Sequence, residues 1–179
     1  MLETAPNSEK KRPGARTRKA VLVVHIASAG AWLGIDVVMA VLIFTALGSD
    51  DGHTRALCLQ ALKLFAIWPL FTTGMVCLAS GVVLGLGSKY GLVRYWWVAA
   101  KLALNILLNG LVLISLRPEV TRAAEEGRQL AAGAPVTVVV GDLIYPPIVS
   151  PALLLLAVTL SVFKPWGRIR KRVSRTTPV

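Results

Sequence analysis

Four long apolar stretches constrain this 179-residue chain more than any other feature. Each holds about 20 residues or more, enough for a helix to cross the roughly 30 Å hydrocarbon core of a bilayer at about 1.5 Å per residue. The lipid core offers no water to backbone polar groups, so a crossing segment must be helical. The predicted spans are residues 20–47, 64–87, 96–116 and 144–163.

These spans predict an all-α membrane protein, with four transmembrane helices in an up-down bundle and one membrane domain over residues 20–166. The chain is 55% hydrophobic, which agrees with this class. The first apolar run exceeds the core of a cleaved signal sequence, so we interpret it as a retained anchor. The tails, residues 1–19 and 167–179, are basic and poor in apolar residues, and we expect them to be disordered.

Lysine and arginine are distributed unequally between the two sides of the predicted bundle. Six lie in residues 1–19 and six in residues 164–179, with Lys89 and Arg94 in the second connection. The first and third connections hold five. The positive-inside rule therefore predicts that both termini lie in the cytoplasm. The net charge of +11 lies largely at the ends of spans, which favours anionic lipid headgroups over nucleic acid as the partner.

The third connection is long enough for structure of its own. Pro118 and Glu119 predict the start of a short helix over residues 119–132. The β-branched run Val136–Val140 fits either a short strand or an early start of span four, and the sequence does not decide between them. Pro151 lies deep enough in span four to remove a backbone hydrogen bond and kink the helix.

Small residues suggest where helices pack. Gly30 and Gly34 form one GxxxG pattern in span one, and Gly81 and Gly85 form another in span two. This spacing lets helix backbones approach closely in lipid, so we expect spans one and two to be neighbours. The alternative interpretation is that glycine is simply common in membrane helices.

Polar residues inside the spans are the candidates for function. His25 and Asp36 share a stripe with Trp32 on span one, and Lys101, Asn105 and Asn109 share a stripe on span three. The two stripes lie at similar depths, which predicts that they face each other.

Asp36 is too deep and too short to reach water. Our hypothesis is that it faces the bundle interior and acts as a proton site, and the alternative is a structural hydrogen bond between spans one and three. Lys101 lies near enough to the edge to reach headgroups, and a lone His25 is more often a packing residue than a ligand.

Cofactor and enzyme signatures are missing from the sequence. His25 and His53 are predicted at opposite membrane faces, so they cannot clamp one haem. Met75 and Cys77 point in different directions on a helix, which argues against a copper site. No hydrolase, protease or nucleotide-binding motif is present. We therefore expect no cofactor, no metal and no enzymatic activity.

Two motifs resemble a known family. The first is an H-x6-W-x-G opening in span one, and the second is a G-L-x-R-x-x-W-V-x-x-K segment that leads into span three. Together with Arg117-Pro118, they resemble a family of small four-helix membrane proteins of unknown function from actinobacteria, over roughly residues 20–118. The opening is more distantly similar to copper-resistance membrane proteins. The resemblance implies four helices and plasma-membrane residence. The matching residues are His25, Trp32, Gly34, Gly91, Arg94, Trp97 and Lys101.

Two functions remain open from the sequence. The first is a small transporter or proton-coupled permease subunit that uses the intramembrane polar residues. The second is a non-catalytic assembly subunit that binds another membrane protein, a second copy of itself or anionic lipid.

Overall fold

The computed structural model describes residues 14–88, 92, 95–135 and 141–163, and these residues are helical apart from short connections and contain no strand. Residues 1–13, Val136–Val140 and residues 164–179 lie outside the described residues, so the predictions made for them stay predictions. Residues 15–19, which were expected to belong to a disordered tail, form the first turns of a helix. The helices are α1 (Ala15–Gly48), α2 (Gly52–Ala66), α3 (Trp68–Leu86), α4 (Trp96–Leu111), α5 (Arg117–Ala131) and α6 (Pro146–Phe163). A π-helical segment, Val112–Leu116, joins α4 to α5, and a 3₁₀ turn, Gly141–Ile144, precedes α6.

Four helical segments are long and apolar enough to cross a membrane: Ala15–Gly48, Gly52–Leu86, Trp96–Ala131 and Gly141–Phe163. The prediction of four helices of spanning length is confirmed. The segments are longer than the predicted spans, because α1 begins at Ala15 and the first and third connections contain helix. The helix expected over residues 119–132 is present as α5, but it continues α4 rather than standing alone.

The helices α1, α3, α4 and α6 form a ring. Within it, α1 and α4 each pack against both α3 and α6. Side-chain contacts show that neighbours are antiparallel: His25 meets Ser80 while Trp32 approaches Gly74, so α1 ascends as α3 descends. The up-down order is therefore confirmed, as is the contact between spans one and two. Because α1 and α4 are diagonal, their polar stripes face each other across the interior of the ring, and Trp32 and Asn109 both approach Gly74 there.

We call the end of the ring where α1 begins and α6 ends the terminal end, and the opposite end the distal end. At the distal end α2 packs against α5, and α1 also packs against α2. The α2–α5 contact is close, because a Cβ on Gly127 would lie 3.0 Å from the carbonyl oxygen of Ala56 and 3.0 Å from Leu59 Cβ. The opposite face of α5 is charged, with exposed ion pairs of Arg122 and Arg128 to glutamates on the same helix.

Prolines separate the α2–α5 pair from the ring. Pro69 follows the break at Ile67, where φ is −107° and ψ is −82°, and it cannot donate to the carbonyl of Phe65. Pro118 follows the π-helical segment and cannot donate to the carbonyl of Ile114. α3 and α5 therefore each lack one i to i−4 backbone hydrogen bond, and both breaks lie near the distal end of the ring. Pro151 lies inside α6, as expected.

An apolar core fills the distal half of the ring and the space between the ring and the α2–α5 pair. We call it the dry core, because the side chains at its centre lack hydrogen-bonding groups. Its most deeply buried side chains, each 0–2% exposed, are apolar: Met39, Ile43, Ala46, Leu59, Leu62, Ala66, Leu70, Val120 and Leu143. Asp36 and its partner Ser150 are buried at the edge of this core nearest the terminal end.

Asp51 determines where α2 begins. Its carboxylate accepts hydrogen bonds from the backbone N–H groups of His53 and Thr54, at 3.3 and 2.8 Å, which makes it the N-cap of the helix. The hydrogen bonds, above all those from Thr54, hold the pKa of Asp51 below its usual value. The cap therefore stabilises the fold fully above the unfolded pKa of about 4 and is lost as the pH falls through the lower folded value.

We expect Asp51→Ala to raise the rate of amide hydrogen exchange in the first turn of α2, because it removes the capping acceptor. Asp51→Asn should change it little, since asparagine caps equally well. The difference between Asp51→Ala and the wild type should shrink below about pH 4. Asp50→Ala, at an exposed neighbouring position, is the control. Equal exchange in the Asp51→Ala and Asp50→Ala variants would contradict the capping role.

Candidate functional site

Polar side chains line the interior of the ring from the terminal end to its middle. We call this set the polar cluster. Four helices contribute to it: His25, Ser28 and Asp36 from α1, Cys77 and Ser80 from α3, Lys101, Asn105 and Asn109 from α4, and Ser150 and Ser161 from α6.

His25 is held by α3. Its Nδ1 lies 3.0 Å from both the carbonyl oxygen of Cys77 and Oγ of Ser80, and 3.7 Å from Sγ of Cys77. The Ser80 hydroxyl proton is directed to the backbone of its own helix, 2.7 Å from the carbonyl oxygen of Val76. Both close partners therefore act as acceptors, which assigns the proton to Nδ1 and leaves Nε2 as the site that gains or loses a proton.

Lys101 occupies the terminal end of the cluster. Its Nζ donates to Oγ of Ser161 on α6 at 2.7 Å and lies 4.8 Å from the ring centroid of Trp97, one turn earlier on α4. The ammonium group is thus directed across the bundle toward α6. The interpretation of Lys101 as a side chain that only reaches outward to headgroups does not account for this contact.

Two asparagines form the middle of the cluster. Nδ2 of Asn109 donates to both the backbone oxygen and Oδ1 of Asn105, each at 2.9 Å, and this fixes the orientation of the Asn109 amide. The thiol of Cys77 lies near the side chains of Ser28 and Asn105, so α1, α3 and α4 meet at this level.

Gly74 is the position where helix packing is tightest around the cluster. A Cβ built on Gly74 would lie 2.4 Å from Oδ1 of Asn109 and 2.8 Å from Cζ3 of Trp32. Only a glycine lets an asparagine from α4 and an indole from α1 meet against the backbone of α3.

Asp36 is 1% exposed and lies at the distal limit of the cluster. Ser150 on α6 donates a hydrogen bond of 2.7 Å to its Oδ2. The expectation that Asp36 faces the bundle interior is confirmed. Its partner lies on α6 rather than on span three, because α4 is diagonal to α1. One hydroxyl satisfies little of a carboxylate, which accepts about four hydrogen bonds when fully solvated.

The two GxxxG patterns have different surroundings. Gly30 and Gly34 are exposed, and a Cβ built on either meets nothing within 4 Å, so they form no helix contact with the part of the chain that the structure describes. A Cβ on Gly81 would lie 3.1 Å from Cε1 of His25, so this glycine does lie in the α1–α3 contact. Gly85 is half-buried one turn later.

All five polar residues singled out from the sequence line the interior of the ring. Sequence reasoning missed Ser150, Ser161 and Gly74. Ser150 and Ser161 are eleven residues apart, which is close to three full helical turns, and this places them on one face of α6. That spacing is the signal that would have identified them. Gly74 has no such signal, because its role depends on what two other helices place against it.

Metal binding has little support among the described residues. No group of three or more His, Cys, Asp or Glu side chains there is arranged to hold a metal ion, and Cys58 and Cys77 are both free. His25 and Cys77 are adjacent but supply only two donor atoms.

In comparisons with known proteins, no family model, no curated protein and no solved structure matches the chain. The resemblance in the two sequence motifs therefore stays a prediction.

Proposed function

We propose that the four helices of the ring, α1, α3, α4 and α6, cross the plasma membrane with both termini in the cytoplasm. The support is the concentration of lysine and arginine in the tails and the second connection, since the described helix ends that these segments adjoin all lie at the terminal end. In this orientation the polar cluster lies in the cytoplasmic half of the bilayer, and the dry core fills the interior of the bundle in the outer half. The α2–α5 pair then stands outside the membrane, and the basic tails contact anionic headgroups.

We further propose that the protein is a small proton-coupled transporter or permease subunit. The observation that carries this proposal is the Asp36 carboxyl, which is fully buried between α1 and α6 and bonded to Ser150. A charge at such depth costs about 2.5–3.5 kcal/mol or more, so a carboxyl is costly to retain there for structure alone. Ionisable residues inside membranes are typically located on ion or proton pathways.

The rest of the cluster supports a route from the cytoplasm. His25 lies eleven residues before Asp36, about 16 Å along α1. Between them lie the hydroxyl, thiol and amide groups of Ser28, Cys77 and Asn105, which are neighbours in the interior of the ring. Protonation of Asp36 removes its charge and weakens the hydrogen bond that it accepts from the Ser150 hydroxyl. This change lowers the free energy required to move α6 away from α1 and to part the dry core.

Proton flux in proteoliposomes tests this function. Vesicles contain the pH dye pyranine and carry a potassium diffusion potential set by valinomycin. We expect the wild type to acidify the lumen and Asp36→Asn to reduce the rate to that of protein-free vesicles, because asparagine cannot bind and release a proton. Asp142→Asn, exposed near the start of α6, is the matched control and should leave the flux unchanged.

Folding is measured in parallel by the thermal midpoint of each variant. Flux that is equal in the wild type and a folded Asp36→Asn variant would exclude a proton role for this residue.

The alternative function, an assembly subunit, is favoured by one observation. Gly30 and Gly34 are exposed on α1 with no neighbouring atom within 4 Å of a built Cβ, so their ridge is open to another helix. A stable complex on native gels that Gly34→Leu disrupts, together with no proton flux from the wild type, would favour this function over transport.

A further inference from the structure

A groove runs along the outer side of the contact between α1 and α6, from the level of Asp36 toward the distal end. Its volume is about 510 Å³, and small-molecule sites typically measure about 300–1,000 Å³. Its lining is almost entirely apolar and includes Val37, Ala40, Val41 and Phe44 from α1 and Pro147 and Pro151 from α6. Three of the α1 side chains, Val37, Val41 and Phe44, are exposed. The groove therefore opens sideways from the bundle, which is toward lipid in the proposed orientation.

Asp36 and Ser150 lie next to the lining of this groove. Asp36 is one helical turn before Ala40 on α1, and Ser150 follows Pro147 by three residues on α6. Residues at these spacings are neighbours on one face of a helix, with about 5–6 Å between their Cβ atoms. The hydrogen bond from Ser150 to Asp36 joins the two helices at this point. The carboxyl is thus one side chain away from a space that a ligand can enter.

The Asp36 carboxyl has no cationic partner among the described residues. The ion pairs found in that part of the chain are all within α5, and Ser150 is the side chain there that donates to the carboxylate. Ionisable groups inside a membrane are usually paired with an opposite charge or face water. The ionised carboxyl therefore lacks a positive charge that a ligand could supply.

A second acceptor lies beside the groove. Pro151 has no backbone N–H, so the carbonyl oxygen of Pro147, four residues earlier, lacks its usual helical donor. Both prolines line the groove, and a helical carbonyl points toward the residue four positions later. The partial negative charge of this oxygen adds to that of Asp36. The electrostatic potential at the groove thus favours a cation and disfavours an anion.

An apolar groove beside a carboxyl without a counter-charge fits a compact organic cation with an apolar body. We propose that the groove between α1 and α6 binds such a lipophilic cation, with Asp36 as its counter-charge. The dry core fills the interior of the ring at the distal end, so the groove offers a lateral approach to Asp36 from that side. The bound cation takes the place of the proton on Asp36, one positive charge for another. Its transport in exchange for protons rests on the proposed function, but its binding does not.

Equilibrium dialysis of radiolabelled tetraphenylphosphonium against the full chain in dodecyl maltoside micelles tests the site. Tetraphenylborate, an anion of nearly the same shape, is the matched probe, and protein-free micelles give the background for each ion. We expect saturable binding of the phosphonium that is at least about tenfold tighter than binding of the borate, because the charge of Asp36 acts in a poorly solvated site.

Two variants locate the bound cation. Asp36→Asn should weaken phosphonium binding about tenfold or more, because the amide carries no charge. Val41→Trp fills the groove from its exposed rim and should also weaken binding, although the carboxyl is kept. Ile106→Trp, at a similarly exposed position on α4, is the matched control and should leave binding unchanged.

Equal binding of the two ions, or phosphonium binding that neither Asp36→Asn nor Val41→Trp weakens, would overturn the proposal. So would binding of neither ion, the result expected if a lipid acyl chain or a second copy of the chain covers the groove. If Asp36→Asn does not fold, Val41→Trp and the comparison of the two ions decide, since both keep the carboxyl.

The two proposals can fail separately. Phosphonium binding that depends on Asp36, without proton flux from the wild type, would remove the transport function and leave the cation site. Proton flux that depends on Asp36, without phosphonium binding, would remove the cation site and leave the transport function.

Discussion

Gly74→Ala should destabilise the bundle more than any other single methyl group added to a glycine in the described helices. The new Cβ would lie 2.4 Å from Oδ1 of Asn109 and 2.8 Å from Cζ3 of Trp32, and both are buried and closely packed. Overpacking of this kind costs about 1–3 kcal/mol. The gain in helix propensity from replacing glycine by alanine is about 0.5–1 kcal/mol, so the steric cost prevails. The measurement is the thermal unfolding midpoint in detergent or nanodiscs.

Gly30→Ala is the matched control, since it adds the same methyl group to a helical glycine with nothing within 4 Å. It should leave the midpoint unchanged or raise it slightly. A second variant tests the cause: Asn109→Ala removes the amide that the new methyl group meets, so Gly74→Ala should cost less in that background. Equal effects of Gly74→Ala and Gly30→Ala on the midpoint would show that the α1–α3–α4 contact is looser than described.

Ser150→Ala should also destabilise the fold strongly, because it removes the hydroxyl that donates to the buried Asp36 carboxyl at 2.7 Å. Hydrogen bonds to charged groups contribute about 1.5–3 kcal/mol, and a carboxylate left without its donor retains the full desolvation cost. Hydrogen bonds between neutral groups in membrane helices average only about 0.6 kcal/mol. A loss of about 1.5 kcal/mol or more would therefore indicate a charged acceptor rather than a neutral one.

A double-mutant cycle isolates this contact. In an Asp36→Leu background the Ser150 hydroxyl has no carboxyl to which it can donate. Ser150→Ala should then change the free energy of unfolding by less than about 0.5 kcal/mol. Thr159→Ala is the control on the same helix, because Thr159 is exposed and bonds only to the backbone oxygen of Leu155. If Ser150→Ala were as mild as Thr159→Ala, the hydrogen bond to Asp36 would not hold α6 to α1.

Much of the fold follows from hydropathy. A segment that crosses lipid must be apolar and helical for about 20 residues, so composition alone locates the spans. The same reasoning underestimated the helices, since α2 and α5 lie beyond the apolar segments. Helices outside lipid need not be apolar, and they are recognised by caps and by buried positions spaced three and four residues apart. Asp51 and the series Leu59, Leu62 and Ala66 provide those signals in α2.

The sequence predicted which residues belong to the candidate site, but it did not predict which side chains they contact. Helical periodicity placed His25 with Asp36, and Lys101 with the two asparagines, on single stripes. Which stripe faces which depends on the order of helices around the ring, and no single-helix pattern contains that order. The sequence therefore paired Asp36 with span three, whereas the ring places Ser150 of α6 against it.

By itself, the sequence determined the number of apolar helices, their up-down order and the polar residues they carry, because each of these depends on one segment or on the lengths of connections. Only the tertiary structure decided that α1 and α4 are diagonal, that Gly74 admits Trp32 and Asn109, and that Asp36 bonds to α6. These are properties of three or four helices at once. They follow from how bulky and small side chains fit around a shared interior, which the order of residues along one helix does not specify.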